Sequence, residues 1–91
     1  MILASGAAVV KQQLVPIARL LAWADAAKEP DEFPTAPALA IPIALDRVGL
    51  SIDQIDAWEI NEAFSVVALA NMDILGIDHH KVCYSLTDVV S

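Results

Sequence analysis

Ala57-Trp-Glu-Ile60 runs straight into Asn61-Glu-Ala-Phe64, then Ser65-Val-Val-Ala-Leu-Ala-Asn-Met-Asp-Ile-Leu75 and Gly76. The first four residues are a short strand candidate. Asn61 is then expected to cap a helix, with Glu62 in its first turn, where a negative charge suits the helix dipole. Phe64, Val67, Ala68, Met72 and Leu75 recur at helical spacing and form one apolar face. Gly76 is expected to end the helix.

The same grammar extends upstream. Ser51-Ile-Asp-Gln54 matches a capping box that opens one short turn. Pro37 suits the first turn of a helix through Ala38, Ile41, Leu45 and Val48, closed by Gly49. Pro42 falls inside it and predicts a kink or a late start, because an interior proline loses a hydrogen bond and crowds the preceding turn. Glu29 to Pro37, with three prolines, reads as a loop. Ile17 to Ala24 is apolar on both alternations except Arg19, as in a strand covered on both faces; a short helix is the competing reading. The expected fold class is therefore α/β, one βαβα unit of a larger mixed sheet. Its two strands would be parallel and joined by a right-handed crossover.

Composition agrees that more protein surrounds this unit. The chain has 91 residues, 57% of them hydrophobic, above the ~45–50% usual in soluble domains. Its 5 basic and 12 acidic residues give a net charge of −7. With no basic cluster, binding to nucleic acid or to an anionic membrane surface is not expected. The longest uncharged run, Phe33 to Leu45, has 13 residues and three prolines, too short to span a bilayer. No targeting segment is visible at the start. One cysteine, Cys83, excludes an internal disulfide framework.

Ligands in open α/β sheets bind beyond the carboxyl ends of the strands. Two places qualify: the turn at Asn61 to Phe64, and the segment Asp25 to Pro37. Asn61 offers a donor and an acceptor that could hold a water or a developing oxyanion; a plain N-cap is the competing reading. His79-His80 reads as a solvated loop rather than a metal site, and no metal is expected. Cys83 has no neighbour that would activate it and reads as a small apolar residue. Asp53 and Asp56 read as solvated turn carboxylates. Glu59, between Trp58 and Ile60, suggests an edge position or a pairing with Arg19 or Arg47. Trp23 and Trp58 read as core.

Trp58-Glu59-Ile60-Asn61-Glu62-Ala63-Phe64 resembles the NEAF motif of the thiolase family. Pro16-Ile-Ala-Arg-Leu-Leu-Ala22 looks like the family's PLARIVA strand, Val48 to Asp56 like its AGL…DID segment, and Leu75 to Val82 like its LGxDxxKVN. Gly6-Ala-Ala-Val-Val10 resembles the end of its DGAAAxV strand. The likeness covers residues 6–82, so that 1–82 would be a partial thiolase C-terminal domain and 83–91 a divergent tail. Ala24 to Pro34 looks closest to the mitochondrial-type acetoacetyl-CoA thiolases, with Phe33-Pro34 where other thiolases have Met-Gly.

The resemblance implies thiolysis of 3-ketoacyl-CoA or the reverse condensation, in fatty acid and ketone-body metabolism. It implies that Asn61 positions the water that polarises the thioester oxygen. It implies that Phe33, Ala63 and Phe64 line the pantetheine and acyl pocket, and that Glu62 is a structural partner. Acyl-CoA would be the substrate and coenzyme A a substrate rather than a cofactor; intact members are homo-oligomers. A mitochondrial location follows from the resemblance alone. The family's nucleophilic Cys, its GHP histidine and its CxG cysteine have no counterpart here; Cys83 stands where the family has Asn. Two expectations follow: an acyltransferase fragment inactive on its own, or a non-catalytic module that associates with intact thiolase subunits.

Overall fold

A computed structural model describes residues 1–61 and 63–83. In chain order the elements are helix α1 (Gly6–Lys11), a 3-10 turn (Phe33–Thr35), helix α2 (Pro37–Val48), a 3-10 turn (Ile52–Gln54), strand β1 (Trp58–Glu59), helix α3 (Ser65–Leu75), a 3-10 turn (His79–Lys81) and strand β2 (Val82–Cys83).

β1 and β2 are parallel, with Trp58 opposite Val82 and Glu59 opposite Cys83. The crossover between them contains α3, so the unit is β–α–β. The second strand is not the one expected. Ile17 to Ala24 forms neither helix nor strand. A strand needs a ladder partner for its N–H and C=O groups, and the described residues supply none. Even so, burial alternates with period two from Leu21 to Lys28, even-numbered residues turned partly inward, as in an extended chain with one face against the body. The Arg47 guanidinium, in the last turn of α2, donates to the Trp23 carbonyl and lies 5.4 Å from the Trp23 ring centroid. Trp23 itself is exposed, not core. Arg47 is thus spent on Trp23, while Glu59 is an exposed residue of β1, opposite Cys83.

Gly6–Lys11 is helical, not the end of a strand. Ser5 Oγ accepts from the Ala8 N–H at 3.2 Å and caps it, so a local bond decides the segment. α2 begins at Pro37 and runs through Pro42 without interruption, so the late start is not seen. Gly49 and Gly76 end α2 and α3 with φ of 69° and 65°, the left-handed region where a side chain is strained. At the Ile52–Gln54 turn, Gln54 Oε1 accepts from the Ser51 N–H at 2.9 Å, one arm of the expected capping box.

The core lies between α3 and the sheet: Ile60, Val67, Ala68, Met72, Ile77 and Val82, with Ile52, Trp58 and Leu75 packed on it. Lys81 clamps this half together. Its Nζ donates to the carbonyls of Asp53 (3.0 Å) and Ile55 (2.8 Å), tying the run into β1 to the run into β2. Elsewhere apolar surface is bare. The solvent-accessible area is 7473 Å², against roughly 5,100 Å² for a folded monomer of this mass. α3 also exposes Val66, Leu69 and Ile74, so it is apolar around most of its circumference, the mark of a helix enclosed in a larger structure. Among the described residues no helix is long and apolar enough to cross a membrane.

Candidate functional site

Asn61 follows the buried Ile60 just beyond the carboxyl end of β1, and its side chain is exposed. It does not cap α3. The N-cap is Phe64, three residues later, in an extended conformation (φ −145°, ψ 147°) with no side-chain cap bond. A cap at Asn61 would require helical dihedrals at Phe64, and the chain remains extended there instead. The first bond of the helix runs from the Val67 N–H to the Phe64 carbonyl, 2.9 Å. Phe64 is 63% exposed rather than part of the buried face, and Ala63 is exposed beside it. Glu62 lies outside the described residues, as do residues 84–91 of the proposed tail.

Phe33 opens the 3-10 turn and is half exposed. The turn is fixed by Thr35 N–H to Glu32 O (3.1 Å) and Ala36 N–H to Phe33 O (3.0 Å). Lys28 Nζ donates to Thr35 Oγ1 at 2.8 Å and lies 4.0 Å from the Glu32 carboxylate. The turn packs on α3 and on the start of α2. Its link to α3 is Asn71, whose Nδ2 donates to the Pro34 carbonyl at 2.7 Å. Asn71 lies six residues after Ser65, about 9 Å along the helix axis. One helix therefore carries Asn61, Ala63 and Phe64 at its entry and the Phe33–Pro34 turn on its flank.

Sequence reasoning passed over Asn71, which is fully buried. The signal was available: one polar residue on the stripe Val67, Ala68, Met72, Leu75. The remaining candidates lie apart. Cys83 is exposed, not an apolar interior residue, because in β2 it is Val82 that turns inward. His79 and His80 are exposed on a turn whose N-cap, Asp78, accepts from the His80 N–H at 2.9 Å. Neither Asn61 nor Phe33 lines either of two surface grooves; one, of about 520 Å³, is lined by Leu69, Met72, Asp73, Gly76, Ile77, Asp78 and His79. Among the described residues no three His, Cys, Asp or Glu are grouped so as to hold a metal.

The chain that carries this parallel β–α–β unit matches a known family. Residues 14–85 match the thiolase C-terminal domain, and the chain belongs to the thiolase family. Among its relatives, a probable acetyl-CoA acetyltransferase of Dictyostelium discoideum is 59% identical over 69 residues, 76% of this chain and 17% of that protein. A thiolase of Ascaris suum, solved in complex with coenzyme A, superimposes with a TM-score of 0.82 at 47% identity, over 87% of this chain and 21% of that one. The peroxisomal 3-ketoacyl-CoA thiolase of Saccharomyces cerevisiae, five α-β-α-β-α layers built from two core domains of identical topology, gives 0.76 at 36% identity over 81% and 21%. The chain thus spans about a fifth of the length of the proteins it matches. The α/β unit is part of the thiolase fold.

Proposed function

We propose that this chain is a segment of the C-terminal domain of an acetyl-CoA acetyltransferase, which condenses acetyl-CoA or cleaves 3-ketoacyl-CoA with coenzyme A. The observation that carries the reading is the exposed Asn61 amide at the carboxyl end of β1, at the entry to α3. There its N–H groups could hold the water that polarises the thioester oxygen, while Phe33, Ala63 and Phe64 line the pantetheine and acyl chain. Acyl-CoA is the substrate of the whole enzyme, and coenzyme A is a second substrate rather than a resident cofactor.

Acyl transfer of this kind needs a thiolate that attacks the carbonyl and holds the acyl group. It also needs an acid–base pair to move protons at the acetyl carbon and at the leaving thiol. Cys83 is the single thiol of the chain, and it lies exposed in β2, opposite Glu59. The segment therefore contributes a wall and an oxyanion donor, and the reacting groups come from other parts of the enzyme. The test is a graft. Residues 14–85 replace the matching segment of the Dictyostelium relative, and acetoacetyl-CoA consumption with free coenzyme A is followed. A folded graft should turn over, and Asn61→Ala should lower kcat by about 10²–10³. A folded but inactive graft, or an Asn61→Ala graft at full rate, would overturn the reading.

The bare apolar residues of the N-terminal third, among them Val15, Ile17, Leu20 and Trp23, favour a second reading. In it the chain is a non-catalytic module that docks on intact thiolase subunits. Co-sedimentation of the purified chain with an intact thiolase, absent with unrelated protein, would support it.

A further inference from the structure

We infer that Asn71 is a positioning residue: its buried amide latches the Phe33–Pro34 turn to α3 and so sets how firmly the acyl-CoA substrate is held. This rests on the reading above, in which that turn forms a wall of the acyl pocket.

The need for a latch is written into the turn. In a run of 3-10 turns the Pro34 carbonyl would accept from the N–H of residue 37, and residue 37 is a proline with none. The turn's own bonds end on Glu32 and Phe33. Without an outside donor the Pro34 carbonyl would be left unpaired against α3, a cost for an acceptor partly withdrawn from water. Asn71 is that donor, reaching 37 residues back in the chain to bond at 2.7 Å.

The amide is oriented by its surroundings. Its two N–H groups meet two carbonyls, Pro34 and Val67, each at 2.7 Å. Turned over, the side chain would set its own oxygen against both carbonyl oxygens. As placed, Oδ1 is buried with no partner among the described residues. Asn71 thus acts here only as a double donor. One bond is local, to the carbonyl four residues earlier in α3. The other crosses between elements. A residue that served only the helix would need the first bond alone.

Two variants in the graft separate these roles. Asn71→Thr keeps a hydroxyl that can donate to the Val67 carbonyl within the helix but is too short to cross to Pro34. Asn71→Leu is close in shape and donates nothing. Both should raise KM for acetoacetyl-CoA about 3- to 10-fold with kcat within about twofold, the size expected for losing the one hydrogen bond that crosses to the turn. Both should also speed amide exchange at Thr35 and Ala36 about tenfold while leaving the α3 amides unchanged. A residue with a merely structural role would reduce the amount of folded enzyme, lowering apparent kcat at constant KM. That pattern, or a KM that moves in Asn71→Leu but not in Asn71→Thr, overturns the inference. A parent graft that is folded but inactive refutes the preceding proposal instead. The latch is then decided by exchange alone: unchanged rates at Thr35 and Ala36 in both variants reject it.

Discussion

Residues 57–83 and residues 1–30 have similar lengths and opposite characters. The first carry six buried apolar side chains, a paired sheet and the Lys81 clamp. The second bury none, although Ile2, Val15 and Ile17 are as apolar as anything in the core and are more than nine-tenths exposed. Hydrophobicity alone therefore does not make a core. It needs an opposing surface, and the described residues provide little of one for residues 1–30. The thiolase relatives, five times longer, indicate where the rest would come from.

The sharpest way to break this comparison is an activity assay. The purified chain should show no acetoacetyl-CoA turnover with coenzyme A above buffer. Turnover that vanishes in Cys83→Ser would make Cys83 a nucleophile and undo the proposed division of labour. Next is the folding of the chain alone. With unpaired strand edges and bare apolar faces it should associate or remain molten. A monomer with dispersed amide resonances and a sharp two-state melt would show the N-terminal third to be self-sufficient.

Within the graft the contrast should reappear as stability. Met72→Ala opens a cavity in the core and should cost about 2–5 kcal/mol. Gly76→Ala should cost about 1 kcal/mol through its left-handed dihedral rather than through crowding, since beyond its chain neighbours nothing lies within 4 Å of where the Cβ would be. Denaturant midpoints measure both; a Met72→Ala loss no larger than the Gly76→Ala loss would mean the core is not where it is placed here. The smallest expected effect is on specificity. Phe33→Met with Pro34→Gly should change the ratio of kcat/KM for branched over straight acyl substrates by about tenfold, the scale of one methyl in a pocket. An unchanged ratio would remove Phe33 from the acyl wall.

The elements that were legible beforehand have strong local punctuation. Pro37 and Gly49 bracket α2, and Gly76 ends α3, because a missing N–H and a left-handed dihedral are properties of single residues. The resemblance around Trp58 to Phe64 likewise placed the candidate turn. What escaped was set by distant partners. β2 is two residues long and carries no period of its own, so only its pairing with β1 reveals it. Ile17 to Ala24 has a strand's composition but needs neighbours to become one. Asn61 has a capping residue's chemistry, yet the chain stays extended past it to Phe64.

The parallel pairing of β1 with β2 also carries a timetable. Trp58 and Val82 are 24 residues apart, so the ladder cannot close until α3 and the following turn have been synthesised. A helix forms in about a microsecond from contacts only four residues apart, whereas this ladder must first close a loop. The Lys81 clamp is made at the same late moment, because its two carbonyls lie 26 and 28 residues upstream. A chain cut short of Val82 would keep α3 but leave it with no second strand beneath it and no ladder for Trp58 to join.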